Sequence, residues 1–113
     1  MDCIFCRIAS GEVPTQYLHE DLDIVAFPDI NPQAPTHILI VPKEHFGSLG
    51  ETVPKNSELL GRLLLVAHSV ADQLGVVENG FRLVLNQGRD GAQAVPHLHL
   101  HLLGGKPLSG RLG

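Results

Sequence analysis

The apolar positions of this 113-residue chain follow two different spacings, and the longer-period one predicts a single long helix. Between residues 57 and 74 they recur every three or four residues, which is the spacing of one face of an α-helix. Gly75 follows as a plausible C-terminal stop. The repeating positions are Leu59, Leu63, Val66, Val70 and Leu74.

The other apolar segments are short and favour strands. They cover residues 17–20, 24–27, 37–41, 81–85 and 97–103, and a short helix over residues 3–9 precedes them. Most connections between these strands are too short for the crossovers that parallel pairing requires. The order of elements therefore predicts an α+β fold with a five-stranded, mainly antiparallel sheet, one long helix and a short N-terminal helix.

Composition and charge narrow the possible partners. A length of 113 residues with 43% hydrophobic residues fits one domain over residues 1–113 with a real core. The net charge is −4 and the 8 basic residues are scattered, which argues against a nucleic acid duplex as partner. A single nucleotide remains compatible, because backbone N–H groups and imidazoles can meet its few charges.

The chain shows no membrane or secretion signal. Its longest apolar run, residues 63–67, is far shorter than a membrane span, and its first residues lack the apolar core of a signal peptide. Two cysteines three residues apart form no disulfide framework. We therefore expect a cytoplasmic protein with no membrane partner.

Three histidines alternate with leucines near the C-terminus and give the strongest chemical signal. On a strand, His97, His99 and His101 share one face while the leucines share the other. A polar sheet face that happens to contain histidine is one interpretation. A metal site is another, and nucleophilic attack on phosphorus by a neutral imidazole is a third.

The pattern His-φ-His-φ-His-φ-φ over residues 97–103, with φ an apolar residue, resembles the signature of the histidine triad family. Gly104 and Gly105 resemble the Hint branch, whereas the Fhit branch usually continues with Pro-Arg. Residues 4–8, 26–30, 32–37 and 86–88 also resemble Hint segments in the same order. The resemblance covers nearly the whole chain.

The resemblance implies an activity and a quaternary structure. Similar proteins hydrolyse purine nucleoside phosphoramidates to AMP or GMP and an amine, cleave aminoacyl-adenylates, and form homodimers with one continuous sheet. In that scheme His99 attacks the α-phosphorus and is nucleotidylated, and water then hydrolyses the intermediate. His101 and His37 would orient the phosphate and manage the proton of the leaving amine. A neutral imidazole near pH 7 is nucleophilic without an activating base.

The resemblance also implies a nucleotide site. Asp29 would accept hydrogen bonds from both ribose hydroxyls, although an aspartate at this position is also common in ordinary turns. Apolar residues would form a slot for the base, and many of them would be apolar as core residues in any case. The slot comprises Ile4, Phe5, Ile8, Phe27, Ile30 and Leu39, and the phosphate side comprises Asn86, Gly91, Gln93, Ala94, His99 and His101.

Two departures from the family bear on specificity. Ala94 stands where the family often has a serine that can hydrogen-bond the phosphate or the leaving group. The C-terminal segment, residues 106–113, lacks the tryptophan that borders the site in animal Hint proteins. The resemblance implies that Ala94 lowers the activity or changes the preferred leaving group, and that the C-terminal segment shapes the leaving-group preference.

Cys3 and Cys6 have the spacing of half a zinc site. The redox alternative needs a thioredoxin-like βαβ context, which is missing, and two buried cysteines packing a short helix are a further alternative. Resemblance to bacterial relatives adds His45 and His97 as ligands. It thus implies structural zinc on Cys3, Cys6, His45 and His97, with no catalytic metal.

Three rival functions remain open. The first is a metal-dependent hydrolase that uses His97, His99 and His101 as ligands. The second is a non-catalytic nucleotide-binding or scaffold protein, which Ala94 keeps open. The third is a dinucleoside polyphosphate hydrolase of the Fhit type, which Gly104 and Gly105 disfavour.

Overall fold

A sheet of five antiparallel strands organises the protein, whose computed structural model describes residues 3–112. The strands lie side by side in the order β1, β2, β3, β5, β4, and every neighbouring pair is antiparallel. This confirms the predicted α+β fold. The strands are β1 (His19–Glu20), β2 (Ile24–Pro28), β3 (Thr36–Pro42), β4 (Phe81–Leu85) and β5 (Leu100–Gly104).

Two α-helices accompany the sheet, as the sequence predicts. Helix α1 covers Ile4–Ala9, and its N-cap is Cys3, whose Sγ accepts a hydrogen bond from the backbone N of Cys6 at 3.4 Å. Helix α2 covers Ser57–Gln73 and begins directly after a short 3₁₀ turn, Pro54–Asn56. Within the described residues, no helix combines the length and the apolar character needed to cross a bilayer.

The sheet has an apolar cluster on each of its faces. Helix α2 covers one face, where its buried residues pack against alternate residues of β2, β3 and β5. Helix α1 lies against the other face, where Phe5 and Ala9 join Phe27 and Leu39 in a smaller cluster. Because neighbouring strand residues point to opposite faces, β2 and β3 each contribute to both clusters.

Histidine and leucine alternate over residues 97–102, and this alternation determines which side chains lie on each face of the sheet. Leu98, Leu100 and Leu102 are 1%, 3% and 0% exposed and belong to the cluster under α2. The intervening histidines therefore point towards the α1 face. The two leucines in the strand pair with β3, through Leu100 with Ile40 and Leu102 with Ile38.

The predicted strand over residues 97–103 is wrong at its start, because β5 begins only at Leu100. Its partner β3 ends at Pro42, which has no N–H to continue the ladder. Instead, the N–H of Leu98 donates to the carbonyl of Phe46 at 2.7 Å, and the N–H of His97 donates to Val95 at 2.8 Å. The first predicted strand is likewise shorter, with only His19–Glu20 in the ladder.

Replacing Leu102 with alanine should lower the free energy of unfolding by about 2–5 kcal/mol, because the lost side chain is fully buried and leaves a cavity. The matched control is Leu22→Ala in the β1–β2 turn, where the leucine is 91% exposed and the change should stay within about 0.5 kcal/mol. Urea unfolding at a fixed protein concentration measures both. Equal losses would contradict the assignment of the core.

Candidate active site and metal centre

Three histidines lie side by side on the α1 face: His37 on β3, His101 on β5 and His99 directly before β5. The pairing of β3 with β5 sets Leu39 opposite His101 and His37 opposite Leu103. His37 Nε2 lies 2.9 Å from His101 Nδ1, and the ring centroids of His99 and His101 are 5.0 Å apart. His37 and His99 are buried and His101 is half-buried. The structure thus brings together the three histidines that the sequence assigns to catalysis.

His99 is held in one tautomer by the backbone. Its Nδ1 lies 2.7 Å from the carbonyl oxygen of His97. A carbonyl oxygen only accepts hydrogen bonds, so Nδ1 carries the hydrogen and donates it. In the neutral ring Nε2 then keeps its lone pair. The ring of Phe5 packs edge-on against His99 at a centroid distance of 5.1 Å and fixes its orientation.

His37 has a polar contact at each ring nitrogen. Its Nδ1 accepts a hydrogen bond from the backbone N–H of Gln33 at 3.0 Å. Its Nε2, which faces His101, lies 3.5 Å from Asp29 Oδ2. Asp29 Oδ1 accepts from the backbone N–H of Asn31 at 2.8 Å, so the carboxylate keeps a fixed position after β2.

Burial disfavours the charged forms of His37 and His101. Desolvation lowers the pKa of His37, against an opposing effect of Asp29. Desolvation, with the neighbouring His99 and His37, lowers the pKa of His101 to about 4. A neutral ring has one donor and one acceptor nitrogen, so each ring can pass a hydrogen bond in one direction only.

A second group of side chains joins α1, the segment after β3 and the segment before β5. The Sγ atoms of Cys3 and Cys6 lie 3.3 and 3.5 Å from His97 Nδ1. His45 Nδ1 lies 3.2 Å from Cys6 Sγ and 3.1 Å from His97 Nδ1. All four donor atoms are within 4.8 Å of one another. The structure thus brings together the four residues that the sequence assigns to a metal.

The donor atoms of this cluster fit a zinc ion. Bond lengths of about 2.0–2.3 Å in a tetrahedron put donor atoms roughly 3.3–3.8 Å apart, close to the observed separations. His97 Nε2 donates to the carbonyl of Pro42 at 2.8 Å, which leaves the lone pair of Nδ1 directed at the thiols. Two thiolates and two imidazoles would close the coordination sphere, as in structural zinc sites.

The residues assigned to a base slot divide into two sets. Phe5, Phe27 and Leu39 are 6%, 3% and 5% exposed and belong to the apolar cluster under α1. Ile8 is partly buried and packs against that cluster. In contrast, Ile4 is 43% exposed and Ile30 is 92% exposed. The structure therefore brings four of the six residues together and leaves two on the surface.

The residues assigned to the phosphate side form a tightly held loop. Asn86 Nδ2 donates to the carbonyl of Gly91 at 2.7 Å. Gln93 Nε2 donates to the carbonyl of Gly47 at 2.6 Å, and its Oε1 accepts from the N–H of Gly88 at 2.9 Å. The side-chain amides of Asn86 and Gln93 therefore hold the loop in place by hydrogen bonds to backbone groups.

Two further residues of this loop have distinct positions. A Cβ at Gly91 would lie 2.5 Å from the carbonyl oxygen of Gln87, so only glycine allows this close approach. Ala94 is exposed at the end of the loop. Its side chain is therefore accessible to solvent on the chain segment that leads to His97.

Sequence reasoning missed the backbone groups that orient the histidines. The carbonyls of His97 and Pro42 and the N–H of Gln33 each fix one ring. The type of a residue carries no signal for such roles, because all residues have a carbonyl and all except proline have an N–H.

Comparison with known proteins agrees with this fold and this histidine cluster. The family model described as "HIT domain" matches residues 10–108. A HIT family hydrolase from Legionella pneumophila Philadelphia 1 has a solved structure with a TM-score of 0.96 and 46% identity, covering 99% of this chain and 100% of its own. The chain belongs to the HIT family.

Two curated relatives are also similar over most of their length. Protein HitA of Neisseria gonorrhoeae is 45% identical over 91% of this chain and 95% of its own. The purine nucleoside phosphoramidase of Escherichia coli K12 is 43% identical over 95% of this chain and 90% of its own. Relatives described as hydrolases support a hydrolase activity for this chain.

If the cluster of Cys3, Cys6, His45 and His97 holds zinc, it predicts a stoichiometry. Protein expressed with zinc and purified without chelators should contain about one zinc ion per chain by elemental analysis. Cys6→Ala should lose most of that zinc, because one of its four ligands is gone. It should also unfold at a lower temperature, because the three remaining donor atoms lie close together without a metal between them. His68→Ala, an exposed histidine on α2, is the control and should keep both values. Full zinc content in Cys6→Ala would contradict the assigned site.

The lowered pKa of His101 predicts a loss of stability in acid. The unfolded ring takes up a proton near pH 6.5 and the folded ring only near pH 4, so stability falls as the pH drops between these values. The slope from this ring should stay below about 1.4 kcal/mol per pH unit, because the ring is partly exposed. The groups that face it are His37, His99 and Asp29.

Urea midpoints at pH 7.5 and 5.5 for the wild type and His101→Gln test this expectation. The midpoint should fall more in the wild type than in the variant, because glutamine takes up no proton. An equal fall in the two proteins would show that other groups cause the acid sensitivity.

Proposed function

We propose that this protein hydrolyses purine nucleoside phosphoramidates through a nucleotidyl-histidine intermediate on His99. One observation carries the proposal: the His97 carbonyl accepts the hydrogen of His99 Nδ1, so that in the neutral ring the lone pair lies on Nε2, next to His101 and His37. A neutral imidazole with an oriented lone pair is a nucleophile for phosphorus. The name of the Escherichia coli relative supports the choice of substrate class.

In the first step, His99 Nε2 forms a bond to the α-phosphorus while the bond from phosphorus to the leaving amine breaks. The hydrogen bond from His99 Nδ1 to the His97 carbonyl stabilises the positive charge that develops on the ring. The departing nitrogen takes up a proton from solvent, and the half-buried His101, which lies beside His99, is positioned to hydrogen-bond the phosphate or the leaving group. Water then breaks the new phosphorus–nitrogen bond, which releases the nucleoside monophosphate and restores His99.

The remaining residues would bind the nucleotide. Asp29 has a fixed carboxylate beside His37, and we assign it to the ribose hydroxyls. Phe5, Phe27 and Leu39 supply the apolar side of the base site, with Ile8 at its edge. The exposed Ile4 and Ile30 would reach the base only from the rim of the site.

The phosphate would be bound by the loop before β5. In this scheme Asn86, Gly91 and Gln93 shape the loop, and its backbone approaches the anion. Ala94 offers no hydroxyl to the leaving group. Release of the amine would then depend on His101 and solvent, which favours amines that readily take up a proton.

Geometry also bears on the rival functions. A catalytic metal on the triad would need donor atoms of all three histidines at one point. His97 Nδ1 instead faces the two thiols, and His99 Nδ1 faces a carbonyl. The metal-dependent hydrolase is therefore the weaker alternative. A nucleotide-binding protein without turnover and a dinucleoside polyphosphate hydrolase become outcomes of the assay below.

We further propose a homodimer in the cytoplasm, with structural zinc in the Cys/His cluster. Strand β4 lies at one edge of the sheet and has a free side, and its five residues are all half-buried. A second copy pairing along this edge would continue the sheet and cover those residues. Two closely spaced thiols with a metal fit a reducing compartment.

Turnover of adenosine 5′-phosphoramidate by the wild type and by His99→Ala tests the proposal. The wild type should release AMP, and the variant should be slower by a factor of about 10³ or more, because the nucleophile is absent. His68→Ala is the matched control and should keep wild-type turnover. Activity should persist after a brief incubation with a chelator.

The same assay separates the rivals. Rapid loss of activity on chelation would favour a metal-dependent hydrolase. Nucleotide binding without release of AMP would favour a binding protein. Faster cleavage of a dinucleoside polyphosphate than of the phosphoramidate would favour the third alternative, and each of these results would overturn the proposal.

A further inference from the structure

The loop before β3 contacts the buried side of His37 through a backbone group. The N–H of Gln33 donates to His37 Nδ1 at 3.0 Å, while the Gln33 side chain is exposed and donates to the carbonyl of Asn31. His37 itself is 6% exposed, so few other groups can approach Nδ1. The ring therefore has one backbone donor at Nδ1, and at Nε2 it faces His101 at 2.9 Å and Asp29 Oδ2 at 3.5 Å.

This contact decides where the hydrogen of His37 resides. An amide N–H is always a donor, so Nδ1 must present its lone pair and the neutral ring must carry its hydrogen on Nε2. The other tautomer would direct two hydrogens at each other across 3.0 Å. A doubly protonated ring would meet the same conflict.

The position of that hydrogen then determines the tautomer of His101. His37 Nε2–H points at His101 Nδ1 over 2.9 Å, so Nδ1 must accept. The neutral His101 ring consequently carries its own hydrogen on Nε2, at the end away from His37. Neutral rings at pH 7 agree with the direction in which burial moves the pKa of both histidines.

We propose that the backbone N–H of Gln33 is a positioning group that sets the direction of a hydrogen-bond chain through His37 to His101, so that His101 presents an N–H to the phosphate or leaving group. The neighbouring His99 presents a lone pair by the opposite arrangement, with its hydrogen on Nδ1. One backbone donor and one backbone acceptor thus make two adjacent histidines chemically different. This inference deepens the proposed function and rests on it for the role of His101.

Proline at residue 33 tests the proposal because it removes the N–H; it also fixes φ and places Cδ where the amide hydrogen faces His37 Nδ1, so that the ring must move or turn. Gln33→Ala is the matched control, since it loses the same side-chain contact and keeps the N–H. Both are compared with the wild type by ¹⁵N spectra of labelled histidines, without substrate, and by kinetics on adenosine 5′-phosphoramidate. Circular dichroism and urea unfolding check that the variants fold.

We expect Nε2–H tautomers for His37 and His101 in the wild type and in Gln33→Ala. Gln33→Pro should show a mixture of tautomers at both rings. Its kcat should fall about tenfold or more relative to Gln33→Ala while KM changes little, because only part of the molecules then present the His101 N–H to the phosphate or leaving group, and the nucleotide contacts are kept. His99 should keep its Nδ1–H form in all three proteins.

A measurement on the wild type stands even if Gln33→Pro fails to fold. A scalar coupling across the hydrogen bond from the Gln33 amide to His37 Nδ1, and another from His37 Nε2 to His101 Nδ1, should both be detectable. An Nδ1–H tautomer of His37 would overturn the inference. So would a folded Gln33→Pro with unchanged tautomers, or with changed tautomers and the kcat of Gln33→Ala.

The two proposals can fail separately. If the wild type does not turn over the phosphoramidate but shows both couplings, the proposed function is wrong and the structural chain is correct. If the wild type turns over and the couplings are absent, the proposed function stands and the positioning role of Gln33 is wrong.

Discussion

Burial of three leucines beneath α2 is the constraint on which the site depends. Leu98, Leu100 and Leu102 pack in the main core, and a slip of one residue would exchange them with the histidines. That exchange would put three imidazoles under α2 without partners and three leucines on the α1 face. The cost of such a slip locks the register, and the register in turn places His99 and His101 beside His37.

The two chemically distinct parts of the site meet at one residue. His97 directs its ring nitrogen towards two thiols, while its carbonyl accepts the hydrogen of His99. A metal in the Cys/His cluster would therefore stiffen the peptide that orients the proposed nucleophile. Two roles thus fall on one residue: the side chain of His97 contacts the thiols, and its backbone carbonyl contacts the ring of His99.

Much of this arrangement could be predicted from sequence, because the spacing of apolar residues shows which side of a helix or strand is buried. Strand β4 has its predicted bounds, and α2 ends one residue before the predicted end. The start of β5 could not be predicted, since it depends on the carbonyl of Phe46 as a partner for Leu98. Nor could the exposure of Ile30, because hydrophobicity alone does not show that the chain has already left the sheet after Pro28.

The contact between His97 and His99 involves the backbone of His97 and the side chain of His99, so the two positions depend differently on residue type. The ring of His97 is fully buried, faces the two thiols through Nδ1 and donates from Nε2 to the carbonyl of Pro42, whereas its own carbonyl is present whichever amino acid occupies the position. Another amino acid at residue 97 would therefore lose the contacts of the ring and still offer His99 Nδ1 its backbone acceptor.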